Sequence, residues 1–127
     1  MKSYSERHVF RQSELDDLAL AALVVSELKD PGVTLRCHEI ARIVAVRLQK
    51  LRPNRIDTFV IDGVYGACEH SWLRLETGNI LDPYCIGRLP MVQLISRDVP
   101  GLTLSALYKP RDQRLDIDWK LIERLAR

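Results

Sequence analysis

Between Ala67 and Asp82 the chain carries a hairpin whose register its own side chains constrain. Ala67 to Leu75 reads as one strand, Asn79 to Asp82 as its partner, and Glu76-Thr77-Gly78 as the connection. Successive side chains of a strand point to opposite faces, so a slip of one residue would exchange the two faces completely. A three-residue loop with Gly78 in the left-handed conformation sets Leu75 opposite Asn79, Trp72 opposite Asp82 and His70 opposite Tyr84. His70 and Asp82 then share a face as diagonal neighbours, while Leu73, Leu75 and Leu81 cover the other. A two-residue loop, Thr77-Gly78, would put His70 and Asp82 on opposite faces. On the three-residue register both faces need cover, by helix on one side and by the remaining chain on the other.

Helices are predicted on either side of this strand-rich centre. Ser13 followed by Glu14, Asp16 and Asp17 marks a helix start, and Leu15, Leu18, Ala22, Val25 and Leu28 recur at helical spacing until Pro31-Gly32. A second helix runs from about Arg36 to Lys50, with Cys37, Ile40, Val44 and Leu48 on one face, Arg42, Arg47 and Lys50 off it, and Pro53 beyond its end. Ile56 to Ile61 is a strand closed by the turn signal Asp62-Gly63. Short strands are expected near Val92 to Ile95 and Leu102 to Tyr108. A last helix is expected from about Asp116 to Ala126, with Trp119, Ile122 and Leu125 on one face. The expected class is α+β: residues 1–127 form one domain, in which a cysteine-bearing helix packs on a small antiparallel sheet.

At 127 residues and 46% hydrophobic, such a chain buries roughly two thirds of its unfolded surface without a metal or a disulfide. Nineteen basic against 17 acidic residues leave a net charge of +2, which argues for neither a nucleic-acid nor a membrane partner. Met1 to Gln12 is polar, so the reading is cytoplasmic, with no leader or anchor in that stretch. Three cysteines do not make a disulfide framework, and a reducing compartment leaves them as thiols.

One of those thiols stands where a nucleophile would. A thiol attacks as its thiolate, which needs a base, an orienting acceptor behind that base, and preferably the positive end of a helix. Cys37 opens the second helix, His70 lies on the first hairpin strand and Asp82 ends the second. Unpaired amides in the first helical turn stabilise a thiolate and donate to the oxyanion formed on attack. His70 takes the thiol proton and returns it to the leaving group, and Asp82 fixes the ring's tautomer.

A cysteine opening a helix, then a strand with His70-Ser71-Trp72, then a hairpin partner ending in Leu81-Asp82-Pro83, resembles the transglutaminase-like branch of the papain-like cysteine protease superfamily. The resemblance covers about Leu35 to Tyr84. It implies Cys37 as nucleophile, His70 as base, Asp82 as the orienting carboxylate and Trp72 as the aromatic residue bordering the substrate. It also implies peptidase, amidase or deamidase chemistry through a thioester, without a cofactor, on a protein, peptide or small-molecule amide. The chain departs from the family's pattern in having Arg36 before the cysteine and a short hairpin loop. Its small size favours hydrolysis over cross-linking, which needs room for a second substrate.

Other residues have plainer roles. Gln12 is a conceivable second oxyanion donor, His38 a surface or capping residue, and Cys68 and Cys85 packing residues, with Cys68 at the border of the site. Trp72 and Trp119 are core candidates. Two other classes compete: a zinc domain using Cys37, Cys68, His70 and Cys85, which lacks the short chelating pairs such sites favour, and a non-catalytic binding module presenting the basic end Lys120, Arg124 and Arg127.

Overall fold

The computed structural model describes residues 10–28, 35–53, 58–84, 92–96 and 104–127. Helix α1 (Gln12–Glu27) is capped at Arg11, two residues before the predicted cap Ser13, and the Arg11 amide donates to Glu14 Oε1 at 3.0 Å. Its buried positions are Glu14, Asp17, Ala21 and Val24. That is one step round the helix from the predicted stripe: Leu15 and Ala22 are exposed, and Leu18, Val25 and Leu28 pack only at the margin of the core. Partners explain the difference. Glu14 accepts from Asn79 Nδ2 at 3.1 Å and from the Thr77 hydroxyl, and Asp17 pairs with Arg52. Carboxylates matched in this way can be buried, whereas a hydrophobic pattern ranks them as surface.

Helix α2 (Cys37–Leu51) follows its predicted face, with Cys37, Ile40, Val44 and Leu48 buried together with Ile43. It closes with Arg52 N donating to Leu48 O, ahead of Pro53. The last helix, α3 (Trp119–Leu125), is shorter than predicted and is capped by Asp118, whose side chain accepts from Leu121 N at 3.1 Å. Ile122 is buried as expected. Trp119 is 57% exposed instead of core, and the Arg42 guanidinium lies 5.8 Å from its ring centroid.

Five strands form one antiparallel sheet in the order β4-β3-β2-β1-β5: β1 (Phe59–Tyr65), β2 (Cys68–Arg74), β3 (Ile80–Asp82), β4 (Gln93–Ile95) and β5 (Tyr108–Pro110). A 3-10 turn, Leu104–Leu107, replaces much of the predicted Leu102 to Tyr108 strand. The central hairpin has the predicted register. Leu73 pairs with Leu81 and Arg74 with Ile80, Leu75 N donates to Asn79 O at 2.9 Å, and Gly78 has φ 88°. The turn predicted at Asp62-Gly63 is not one. Both residues lie within β1, Gly63 opposite His70, and the chain reverses at Gly66, φ 61°. Gly63 is required by close approach: a Cβ there would stand 2.1 Å from Lys109 O and 2.7 Å from Trp72 Cη2. Pro31-Gly32, Ile56-Asp57, Cys85 and Leu102-Thr103 lie outside the described residues.

The helices cover one face of the sheet. Ala21 and Val24 of α1, Ile40, Ile43, Val44 and Leu48 of α2, and Ile122 and Ala126 from the C-terminal end pack on Leu73, Leu75 and Leu81. The opposite face carries a second cluster, Trp72, Ile80, Ile95 and Tyr108, with Ile61 and Tyr65 against it. This is an α+β architecture with both faces of the hairpin buried. Among the described residues no helix is long and apolar enough to cross a membrane.

Candidate active site

His70 and Asp82 meet because the three-residue loop sets them on one face. His70 Nε2 donates to Asp82 Oδ2 at 2.7 Å, with His70 0% and Asp82 1% exposed. The carboxylate is held from two further directions. Tyr84 N donates to Oδ1 at 2.9 Å, the turn that Asp82-Pro83 suggests, and the Tyr108 hydroxyl donates to Oδ2 at 2.6 Å. With Nε2 committed to Asp82, Nδ1 is the ring nitrogen left for chemistry. It is buried and completes no hydrogen bond among the described residues.

Cys37 is the first residue of α2, 8% exposed, and its sulfur is near enough to act on His70 as an acceptor and a charge. Geometrically the contact falls short of a formed hydrogen bond to Nδ1. Burial pushes the His70 pKa down, but the hydrogen bond and charge of Asp82 and the interactions with Cys37 outweigh it, raising it to about 9. Rings enclose the imidazole. Trp72 stacks on it at 6.0 Å between centroids and 29° between planes, and Tyr65 and Tyr108 stand edge-on or tilted at 6.1 Å. Trp72 is buried, as a core residue would be, and also contacts Tyr108 at 5.2 Å.

A second polar chain supports the start of α2 on the other side of the cysteine. His38, read from sequence as a surface or capping residue, is 5% exposed, with Nδ1 2.5 Å from Ser71 Oγ and 3.8 Å from Cys37 Sγ. Its rotation from Cys37 aims it at β2, because α2 lies on that strand. Ser71 Oγ donates to Asp62 Oδ1 at 2.5 Å, and Arg42 grips both Asp62 oxygens at 3.1 and 2.7 Å. Since the serine proton goes to Asp62, the serine oxygen accepts from His38 Nδ1–H. Burial and the Arg36 charge, opposed by Asp62 and Glu39, lower the His38 pKa and keep the ring neutral. Burial alone would raise the Asp62 pKa, but the bonds from Arg42 and Ser71 lower it overall. Arg36 also braces the helix start, pairing with Glu39 at 2.7 and 2.5 Å and donating to Asp116 O at 2.6 Å. Among the described residues no side-chain hydrogen bond caps this helix, which leaves first-turn amides directed outward beside Cys37.

Three other expectations fail or fall elsewhere. Gln12 is exposed on α1 with its amide on Asp16 Oδ1 at 3.0 Å, so it is no oxyanion donor. Cys68 is exposed rather than packed, because β2 begins there directly after the Gly66 turn. Of the four proposed zinc ligands Cys85 lies outside the described residues, and among the described residues no three His, Cys, Asp or Glu side chains are grouped to hold a metal ion. Tyr108, Ser71, Asp62 and Arg42 were missed. Their sequence separations carry no local signal, although the alternation that selects His70 and Trp72 also assigns Ser71 to the helix-facing side. Comparison with protein-family models, curated proteins and solved structures gives no match at any of the three levels.

Proposed function

We propose that the protein is a cysteine-dependent acyl-transfer hydrolase of transglutaminase-like, papain-like type, with Cys37 as nucleophile, His70 as its proton carrier and Asp82 as the orienting carboxylate. The observation that carries this reading is the division of labour on the His70 ring. Nε2 is spent on Asp82, the buried Nδ1 completes no bond among the described residues, and Cys37 is near enough to act on the ring. A purely structural histidine would satisfy both nitrogens.

In the proposed reaction the thiol proton resides on His70 Nδ1 and the thiolate forms a bond to the carbonyl carbon of an amide. The carbonyl electron pair moves to oxygen, where first-turn amides of α2 donate to it. Collapse re-forms the carbonyl, breaks the C–N bond and sends the Nδ1 proton to the departing amine, leaving a thioester on Cys37. Water then attacks the thioester with its proton taken by His70, releasing the acid and the thiol. A His70 pKa of about 9 suits the donor half of the cycle, because the ring holds its proton through neutral pH.

Alkylation with iodoacetamide at pH 6 tests the reading. By exposure alone Cys68 should react before the nearly buried Cys37. An activated thiolate inverts that order, so Cys37 is expected to label before Cys68 and Cys85, with labelling slowed strongly by His70→Ala and less by Asp82→Ala. Labelling of Cys68 first, or a Cys37 rate indifferent to His70→Ala, overturns the proposal.

A further inference from the structure

Beyond Trp72, on the sheet face that carries His70 and Asp82, lies a cleft of about 220 Å³ lined by Ile61, Trp72, Arg74, Gly78, Ile80, Tyr108 and Pro110. The strands explain its composition. Ile61 is the β1 partner of Trp72, and Ile80 is the β3 partner of Arg74, so alternation brings their side chains to the same side. The walls are apolar and aromatic, and Arg74 supplies the charged group. Its guanidinium lies 5.3 Å from the Phe59 ring centroid, and it makes no ion pair with the described residues.

Two walls of the cleft are also supports of the candidate active site. Trp72 stacks on His70, and Tyr108 donates to Asp82. We infer that this cleft receives an apolar, carboxylate-bearing part of the substrate whose acyl carbon Cys37 attacks, with Arg74 as the carboxylate-recognising residue. The inference rests on the function proposed above and adds a substrate class to it. A cleft with apolar and aromatic walls and a charged group beside them is a common form of specificity site, Arg74 is exposed and so open to a ligand, and a guanidinium matches a carboxylate in shape as well as charge. Arg74 stands four residues from His70 along β2, roughly 13 Å of extended strand. A substrate reaching from beside the imidazole to the Arg74 position therefore has the length of a short peptide bearing an acidic group.

Trp119→Phe leaves Trp72 as the single tryptophan and gives the cleft its own fluorescence signal. Phenylacetate is expected to change that fluorescence saturably, with phenylacetamide binding at least about tenfold more weakly for want of the charge-assisted bond. Arg74→Gln should bring phenylacetate down to the level of the amide without altering amide binding. An N-acetylated tetrapeptide ending in phenylalanine, long enough to reach from Arg74 toward the thiol, should also slow iodoacetamide alkylation of Cys37. Equal binding of acid and amide, no saturable change, or an unaltered response in Arg74→Gln overturns the inference, as does binding of the tetrapeptide that leaves Cys37 alkylation unchanged. Cys37→Ala should bind phenylacetate normally, so the binding arms remain decisive even if the thiol proves unreactive and the hydrolase reading fails.

Discussion

His70 links two properties of the protein, its proposed proton carriage and its stability. The ring's pKa lies at about 9 in the folded chain against an ordinary 6.5, so folding takes up a proton between those values. A raised folded-state pKa contributes stability that is fully present below about pH 6.5 and is lost as pH rises through about 9. Urea midpoints should therefore fall across that window in the native protein. In Asp82→Asn, which removes the charge and the charge-assisted bond, NMR titration should find the His70 pKa shifted back down, and most of the fall in urea midpoint between pH 6.5 and 9 should vanish. Retention of the full pH slope in Asp82→Asn would show that the charge of Asp82 does not hold the proton. His38 makes the contrast: a second buried imidazole beside the same sulfur, with a lowered pKa. One neighbouring carboxylate reaches the ring directly, and the other is separated from it by Ser71.

Among the elements, β1 is the one whose sequence most misleads. Asp62-Gly63 has the composition of a turn, yet it sits in the middle of a strand that pairs with β2 on one side and β5 on the other. The glycine allows the Lys109 backbone and the edge of Trp72 to close over it, which brings β5 and hence Tyr108 onto Asp82. Gly63→Ala forces a Cβ against a backbone oxygen that cannot swing aside. It is expected to cost about 1–3 kcal/mol or more in urea unfolding and to disturb Trp72 fluorescence in a Trp119→Phe background. Gly66→Ala provides the comparison. Among the described residues nothing lies within 4 Å of a Cβ at that position, and the strain there comes from its positive φ.

For the whole molecule, the helix layer and the site stand on the same strands. Ile43 is fully buried between α2 and the sheet, in the cluster that also holds Leu73 and Leu81, the residues next to Trp72 and Asp82. Ile43→Ala should lower stability by about 2–5 kcal/mol through lost burial and an unfilled cavity, a large part of what a domain of this size has. The urea midpoint should fall while the slope stays the same. If the site depends on that packing, the preferential alkylation of Cys37 should disappear over the same urea range as the backbone signal. Loss of the preference well before unfolding would mean that the site opens independently of the core.

Much of this arrangement was legible in the chain before folding. Given the three-residue loop Glu76-Thr77-Gly78, the alternation of side chains suffices to bring His70 to Asp82. Helical spacing likewise assigns Cys37 to the start of α2 and to the face that carries Ile40, Val44 and Leu48. These are local properties, repeated every two or 3.6 residues. Tertiary structure alone decided which polar side chains could be buried. Glu14, Asp17 and His38 look like surface residues until Asn79, Arg52 and Ser71, between 33 and 65 positions away, satisfy them. It also decided that Tyr108 would hold Asp82 and that Gly63 would make room for β5 instead of a turn. The free energy of a buried polar or small residue depends on what the rest of the chain brings to it, and no local pattern encodes that partner.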